Sequence, residues 1–174
     1  MRKKHEVTDL RTIELIPDVS IRLAVVSRIE PLRFKTVFLQ VWEKIPFPAR
    51  AKLVGYWSVL PATVYFTSDW QERGSRLAQC WARGSVFCFL ASAIDRMSDM
   101  VMGISIAHEL AHAYCFATNE PNHCGSPLPE AVRYEQAEAI VRSICDLWGF
   151  CSRELSQWCL DNEEWLTTNA NAGP

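Results

Sequence analysis

From Met100 to Phe116 the chain reads MVMGISIAHELAHAYCF, nearly all apolar apart from His108, Glu109 and His112. A proline-free run of this length, apolar around its whole circumference, predicts a helix enclosed in a core rather than one lying on a surface. Within it, His108-Glu109-Leu110-Ala111-His112 forms an HExxH pattern. Histidines four residues apart stand one turn apart on the same helix face. Their imidazoles can then share one metal ion, with Zn–N distances of ~2.0–2.1 Å. Glu109 projects roughly 100° away around the helix, towards a metal-bound water rather than the metal. There it can take a proton as water attacks a polarised carbonyl and pass it to the leaving amine. With four histidines in the chain, an accidental HExxH should arise in roughly one such sequence in a hundred or more. The competing reading is a pair of core histidines satisfied by neighbours. Burying a glutamate and two imidazoles is costly, however, and a metal would satisfy all three.

A catalytic zinc site needs a third protein ligand and a water. Cys115 and Thr118 follow the motif, so no histidine stands at the short HExxHxxGxxH spacing. His123 lies in a loop rich in Pro, Asn, Gly and Ser, from Glu120 to Pro129. The next helix, predicted from about Glu130 to Leu147 with Gly149 as its stop, offers Glu130, Glu135 and Glu138. Its apolar stripe is Tyr134, Ala137, Val141, Ile144, Cys145 and Trp148. Glu138 borders that stripe, and Glu135 falls about 60° further towards solvent. A carboxylate beside a core wants a partner. Glu138 therefore ranks first as the third ligand and Glu135 second, with Glu130 and His123 behind.

Away from the motif, apolar residues at helical spacing predict a helix over 29–45, carrying Leu32, Phe34, Val37, Phe38, Val41 and Trp42. A second is predicted over Ala49 to Leu60, with Leu53, Val54, Trp57 and Leu60 on one face. Three β-branched or aromatic runs then read as strands: Ala62 to Thr67, Leu77 to Ala82 and Ser85 to Ser92. Arg83-Gly84 is a hairpin turn between the last two. Asp95 to Asp99 reads as a connector, with Ser98 or Asp99 capping the motif helix. Ser152 to Leu166 suggests a closing helix. The tryptophans, Trp42, Trp57, Trp148 and Trp158 among them, fall on apolar stripes and read as core.

The chain has 174 residues, 49% hydrophobic and 22% charged, which suits one soluble domain. It is read as a single α+β domain over 21–166, with a loose segment over 1–20 and a frayed tail over 167–174. A small, mainly antiparallel sheet is expected to pack against the HExxH helix and the glutamate-bearing helix. A net charge of −2 and the lack of a basic stripe argue against nucleic acid as a partner. No run approaches the ~20 apolar residues of a membrane span. The acidic residues soon after Met1 to Lys4 are unlike a secretory leader. A cytoplasmic setting follows, in which the seven cysteines stay reduced. Their odd number and the absence of CxxC argue against a disulfide framework or a zinc ribbon. Oligomeric state is left open.

The HExxH sequence followed by a glutamate on a later helix resembles the gluzincin class of zinc metallopeptidases, whose compact members include the ImmA/IrrE-type proteins. The resemblance spans roughly residues 50 to 150, and the five-residue motif is its specific part. It implies a minimal zincin-like domain that hydrolyses a peptide bond in a peptide or protein substrate, with zinc held by His108, His112 and Glu138. The family often places a small residue, then Asp or Asn, three and four positions after its ligand glutamate. Here those positions are Val141 and Arg142 after Glu138, or Glu138 and Ala139 after Glu135. The class also implies that an extended peptide pairs with an edge strand. The stretch from Leu77 to Ala82 is the candidate, with Gln79 and Trp81 on one face. An oxyanion donor is expected near the metal. Tyr134, His123 and Tyr114 are available, Tyr134 foremost and Tyr114 better suited to the core. The alternative is a regulatory or interaction module whose zinc is structural, its shell closed by His123 or Cys124.

Overall fold

The computed structural model describes residues 11–16, 19, 21–25, 31–67, 77–81, 83–119 and 130–170. Among the described residues, five strands form one sheet in the order β1-β2-β3-β5-β4: β1 (Arg11–Glu14), β2 (Ile21–Val25), β3 (Ala62–Thr67), β4 (Ala78–Trp81) and β5 (Val86–Leu90). The same residues form seven helices: α1 (Pro31–Lys44), α2 (Phe47–Val59), α3 (Ala91–Arg96), α4 (Asp99–Thr118), α5 (Glu130–Leu147), α6 (Ser152–Asp161) and α7 (Glu163–Ala170). The α+β class agrees with the sequence reading.

The sheet is mixed rather than mainly antiparallel. β1 pairs antiparallel with β2, and β4 with β5, whereas β2–β3 and β3–β5 are parallel. Parallel neighbours need a crossover, and between β2 and β3 the chain supplies α1 and α2. β1 and β2 were not foreseen, and Arg11–Glu14 of the supposedly loose segment is held in the ladder by Val25, Ala24, Leu23 and Arg22. The alternation Ile21, Leu23, Val25 is a period-2 signal, but a short one. At the other end, residues 167–170 of the expected tail belong to α7, and the closing helix is two helices meeting near Asn162. α3 takes over the end of the strand foreseen to Ser92 and reaches into the foreseen connector at Asp95 and Arg96.

α4 packs against α1, α2, α5, α6 and β4. Surrounded in this way it can be apolar on every side, and residues from Val101 to Ala107 are all buried. Ser98 begins it, its Oγ accepting from the Val101 N–H at 3.3 Å, and Asn119 ends it in the left-handed conformation at φ 56°. Arg33 of α1 braces the start, donating from Nε to Asp99 Oδ1 at 2.8 Å and from Nη2 to the Met97 carbonyl at 2.6 Å.

Aromatic rings fill the space between sheet and helices. Phe34 of α1 meets Phe66 and Phe89 edge-on, at ring-centroid distances of 4.9 and 5.3 Å. Trp57 of α2 stacks on Trp42 at 5.9 Å and meets Phe87 edge-on at 5.9 Å. Such pairs contribute about 0.5–1.5 kcal/mol each beyond burial. Trp42, Trp57 and Trp148 are buried, in keeping with their reading as core. Leu32 departs from its stripe and is 68% exposed, because it lies in the first turn of α1, away from the helix's buried face.

The β4–β5 turn is pinned against α2 and α4. Arg83 and Gly84 both have positive φ, 58° and 78°. Tyr56 Oη donates to the Arg83 carbonyl at 2.5 Å, and Trp57 Nε1 donates to the Gly84 carbonyl at 3.0 Å. A Cβ on Gly84 would lie 2.9 Å from Ala113 Cα, so α4 passes too close for any side chain there.

Candidate metal centre

Four-residue spacing on α4 brings the His108 and His112 rings to a centroid distance of 4.9 Å, nearly perpendicular at 76°. α5 crosses α4 and delivers Glu138 between them. Glu138 Oε2 lies 3.3 Å from His108 Nε2, and Oε1 lies 3.2 Å from His112 Nε2. All three side chains are largely enclosed, at 13, 11 and 14% exposure for His108, His112 and Glu138. Burial alone would raise the Glu138 carboxyl, but hydrogen bonds and opposite charge from both imidazoles outweigh it and hold it well below the usual carboxylate range.

The spacing suits a metal better than a bare ion pair. Charge-assisted N–H···O bonds are typically ~2.7–2.9 Å, shorter than either contact. Ligands ~2.0–2.1 Å from one zinc at tetrahedral angles stand ~3.3 Å apart; each contact is close to that, through a different carboxylate oxygen, and the three donors lie within 4.8 Å of one another. Two imidazole nitrogens and a carboxylate oxygen are also the donors zinc takes at hydrolytic sites. Among the described residues, His108 Nδ1 is buried without a hydrogen-bond partner.

Glu109, one residue from the first histidine, is 5% exposed and lines the same cleft. The cleft encloses about 310 Å³. One wall is β4, the last strand of the sheet, through Ala78, Gln79 and Cys80. The opposite wall is α5 and α6, through Tyr134, Arg142, Ser152 and Ser156.

Of the residues singled out in the sequence, the structure gathers His108, Glu109, His112, Tyr134 and Glu138 around this cleft. Tyr134 is 45% exposed, so it leaves the buried stripe of α5, whose buried members are Ala137, Val141 and Cys145, continued by Trp148 just past the helix end. It lies on the turn before Glu138, at the cleft rather than against the body of α4. Glu135 is exposed and outside the cluster. Tyr114 packs edge-on against Trp148 at 5.6 Å, a core contact. His123, Cys124 and the side chain of Glu130 lie outside the described residues, as does the side chain of Trp81. Sequence reasoning missed the α6 wall, Ser152 and Ser156, and gave Arg142 no role of its own. The available signal was the spacing of Glu138 and Arg142, one helical turn apart.

Comparison with protein-family models, curated proteins and solved structures finds no match to this chain. Among the described residues, no helix is long and apolar enough to cross a membrane.

Proposed function

We propose that this protein is a zinc-dependent peptidase of gluzincin type, hydrolysing a peptide bond in a cytoplasmic peptide or protein. The observation that carries this reading is the convergence of His108, His112 and Glu138, their donor atoms within 4.8 Å of one another, beside an enclosed Glu109. His108 and His112 would hold zinc through Nε2 and Glu138 through its carboxylate. Zinc held there supplies Lewis acidity, polarising the scissile carbonyl and making water a stronger acid. Glu109 accepts the proton from the attacking water and delivers it to the leaving amine nitrogen. Tyr134 donates a hydrogen bond to the oxygen on which charge develops. β4 offers its outer edge to an extended substrate, whose main chain pairs with it beside the metal centre. A structural zinc would need a fourth protein ligand, and among the described residues three donors converge.

Metal content by mass spectrometry, read beside cleavage of a peptide mixture, tests the reading. About one zinc per chain is expected, lost in His112→Ala and weakened in Glu138→Gln but not in Glu135→Gln. Glu109→Gln should keep its zinc and lose roughly 10²–10⁴-fold in turnover. A fully active Glu109→Gln protein would sink the mechanism, and a wild-type chain that takes up no zinc would sink the centre.

A further inference from the structure

The cleft does not end at the metal ligands. Beyond Glu138 it opens into a second recess of about 560 Å³, and the two share Arg142, Ser152 and Ser156. Arg142 follows Glu138 by one turn of α5, so both side chains face the same way. Ser152 and Ser156 are likewise one turn apart on α6 and line both recesses with Arg142. Arg153 lines the second recess alone. Among the described residues, Arg142 is the one arginine or lysine lining the cleft, and neither Arg142 nor Arg153 forms an ion pair. The carboxylate nearest to hand, Asp146, lies one turn further along α5 and also lines the recess. Its Oδ1 accepts the Ser152 N–H at 2.9 Å, where it caps α6 instead of pairing with Arg142.

Arg142 in the cleft and Arg153 in the recess beyond it, neither in an ion pair among the described residues, form with the hydroxyls of Ser152 and Ser156 a receptor for a carboxylate. Resting on the peptidase reading, we infer that the substrate presents an anionic group on the α5–α6 side of the scissile bond, clamped by Arg142 with Ser152 and Ser156 and drawn in by Arg153. The carboxylate comes from an Asp or Glu side chain or from the free C-terminus of the substrate. Both satisfy the same chemistry and are separated below.

A mixture of synthetic peptides is digested with the zinc-loaded protein, and the new ends are sequenced by mass spectrometry. Asp, Glu or a free C-terminus beside the cut bond should be enriched at least roughly tenfold over Lys and Arg. Amidating every C-terminus separates the sources: enrichment lost on amidation assigns the terminal carboxylate, and enrichment that persists assigns the acidic side chain. An Arg142→Gln, Arg153→Gln double variant should lose the enrichment while keeping its zinc content and melting temperature. Cleavage without acidic preference, or a preference the double variant retains, overturns the inference and leaves the peptidase reading standing. Failure to cut any peptide removes the peptidase reading instead, and calorimetric titration of the zinc-loaded protein then decides the recess. Roughly tenfold tighter binding of an Asp-bearing peptide than of its Lys counterpart, abolished in the double variant, supports the receptor, and equal binding overturns it.

Discussion

The cysteines show how much a residue's setting decides its chemistry. Cys88 sits in the middle of β5, hydrogen-bonded into the ladder on both sides, and is 1% exposed. Burial pushes its thiol up to about 11, against a hydrogen bond from Tyr65 that pulls the other way. At pH 8 a thiol with a pKa of about 11 is thiolate in roughly one molecule in a thousand, and the fraction rises about tenfold for each unit of added pH. Cys151, by contrast, is exposed at the start of α6. Iodoacetamide at pH 8 should therefore label Cys151 in the folded protein and reach Cys88 only after denaturation. Peptide mapping checks this, and equal labelling of the two in the native state would contradict it. Glu109 is enclosed in the same way, at 5% exposure, and under the proposed mechanism that enclosure keeps bulk water from competing for the proton it takes from the attacking water.

At the scale of elements, the β4–β5 turn and α4 act as one unit. The turn needs positive φ at Gly84 and leaves no room for a Cβ against Ala113. Gly84→Ala must therefore strain the turn and push on the helix that carries both histidines. A loss of about 2–3 kcal/mol is expected in urea unfolding. Zinc affinity should fall with it, whereas a loop position free of this contact would cost nothing in metal binding. A variant as stable as the parent would show that α4 can move away from the turn. Much at this scale was legible in the sequence. Apart from Leu32, Leu60 and Tyr134, which are exposed, the stripes of α1, α2 and α5 followed from spacing, as did the Arg83-Gly84 turn; of the two cap candidates, Ser98 and Asp99, the cap is Ser98. Strand direction was not, because alternation says which face is buried and nothing about whether a neighbour runs parallel. The α6 wall was hidden for a different reason. Ser152 and Ser156 reach the cleft only because the chain reverses at Gly149, with φ 84°, and a sequence does not state the angle at which the next helix leaves.

For the molecule as a whole, α4 lies against four helices and a strand, so anything that fixes its position is felt throughout. A metal bound to the native state alone stabilises it by mass action, by about 2.7 kcal/mol at a free concentration a hundredfold above its Kd. For a chain of this length each kcal/mol raises the melting temperature by about 2–4 °C. Zinc should raise Tm by roughly 5–10 °C, a chelator should reverse the shift, and His112→Ala should abolish it. An identical zinc response in His112→Ala would mean the metal binds elsewhere. The candidate ligands were legible because helical phase fixes faces: four-residue spacing aligned the histidines, and position on the border of a stripe selected Glu138 over Glu135. Tyr134 lay outside that logic, since its exposure depends on where α5 overhangs α4.

The placement of the three ligands also bears on time. His108, His112 and Glu138 belong to two successive helices, while β2 cannot pair with β3 until the whole of α1 and α2 has intervened. Short-range contacts form early and distant parallel pairings late. The pocket is thus positioned to assemble before the sheet is complete. Zinc captured there would then quicken folding, whereas a metal bound only after the last strand docks would merely slow unfolding.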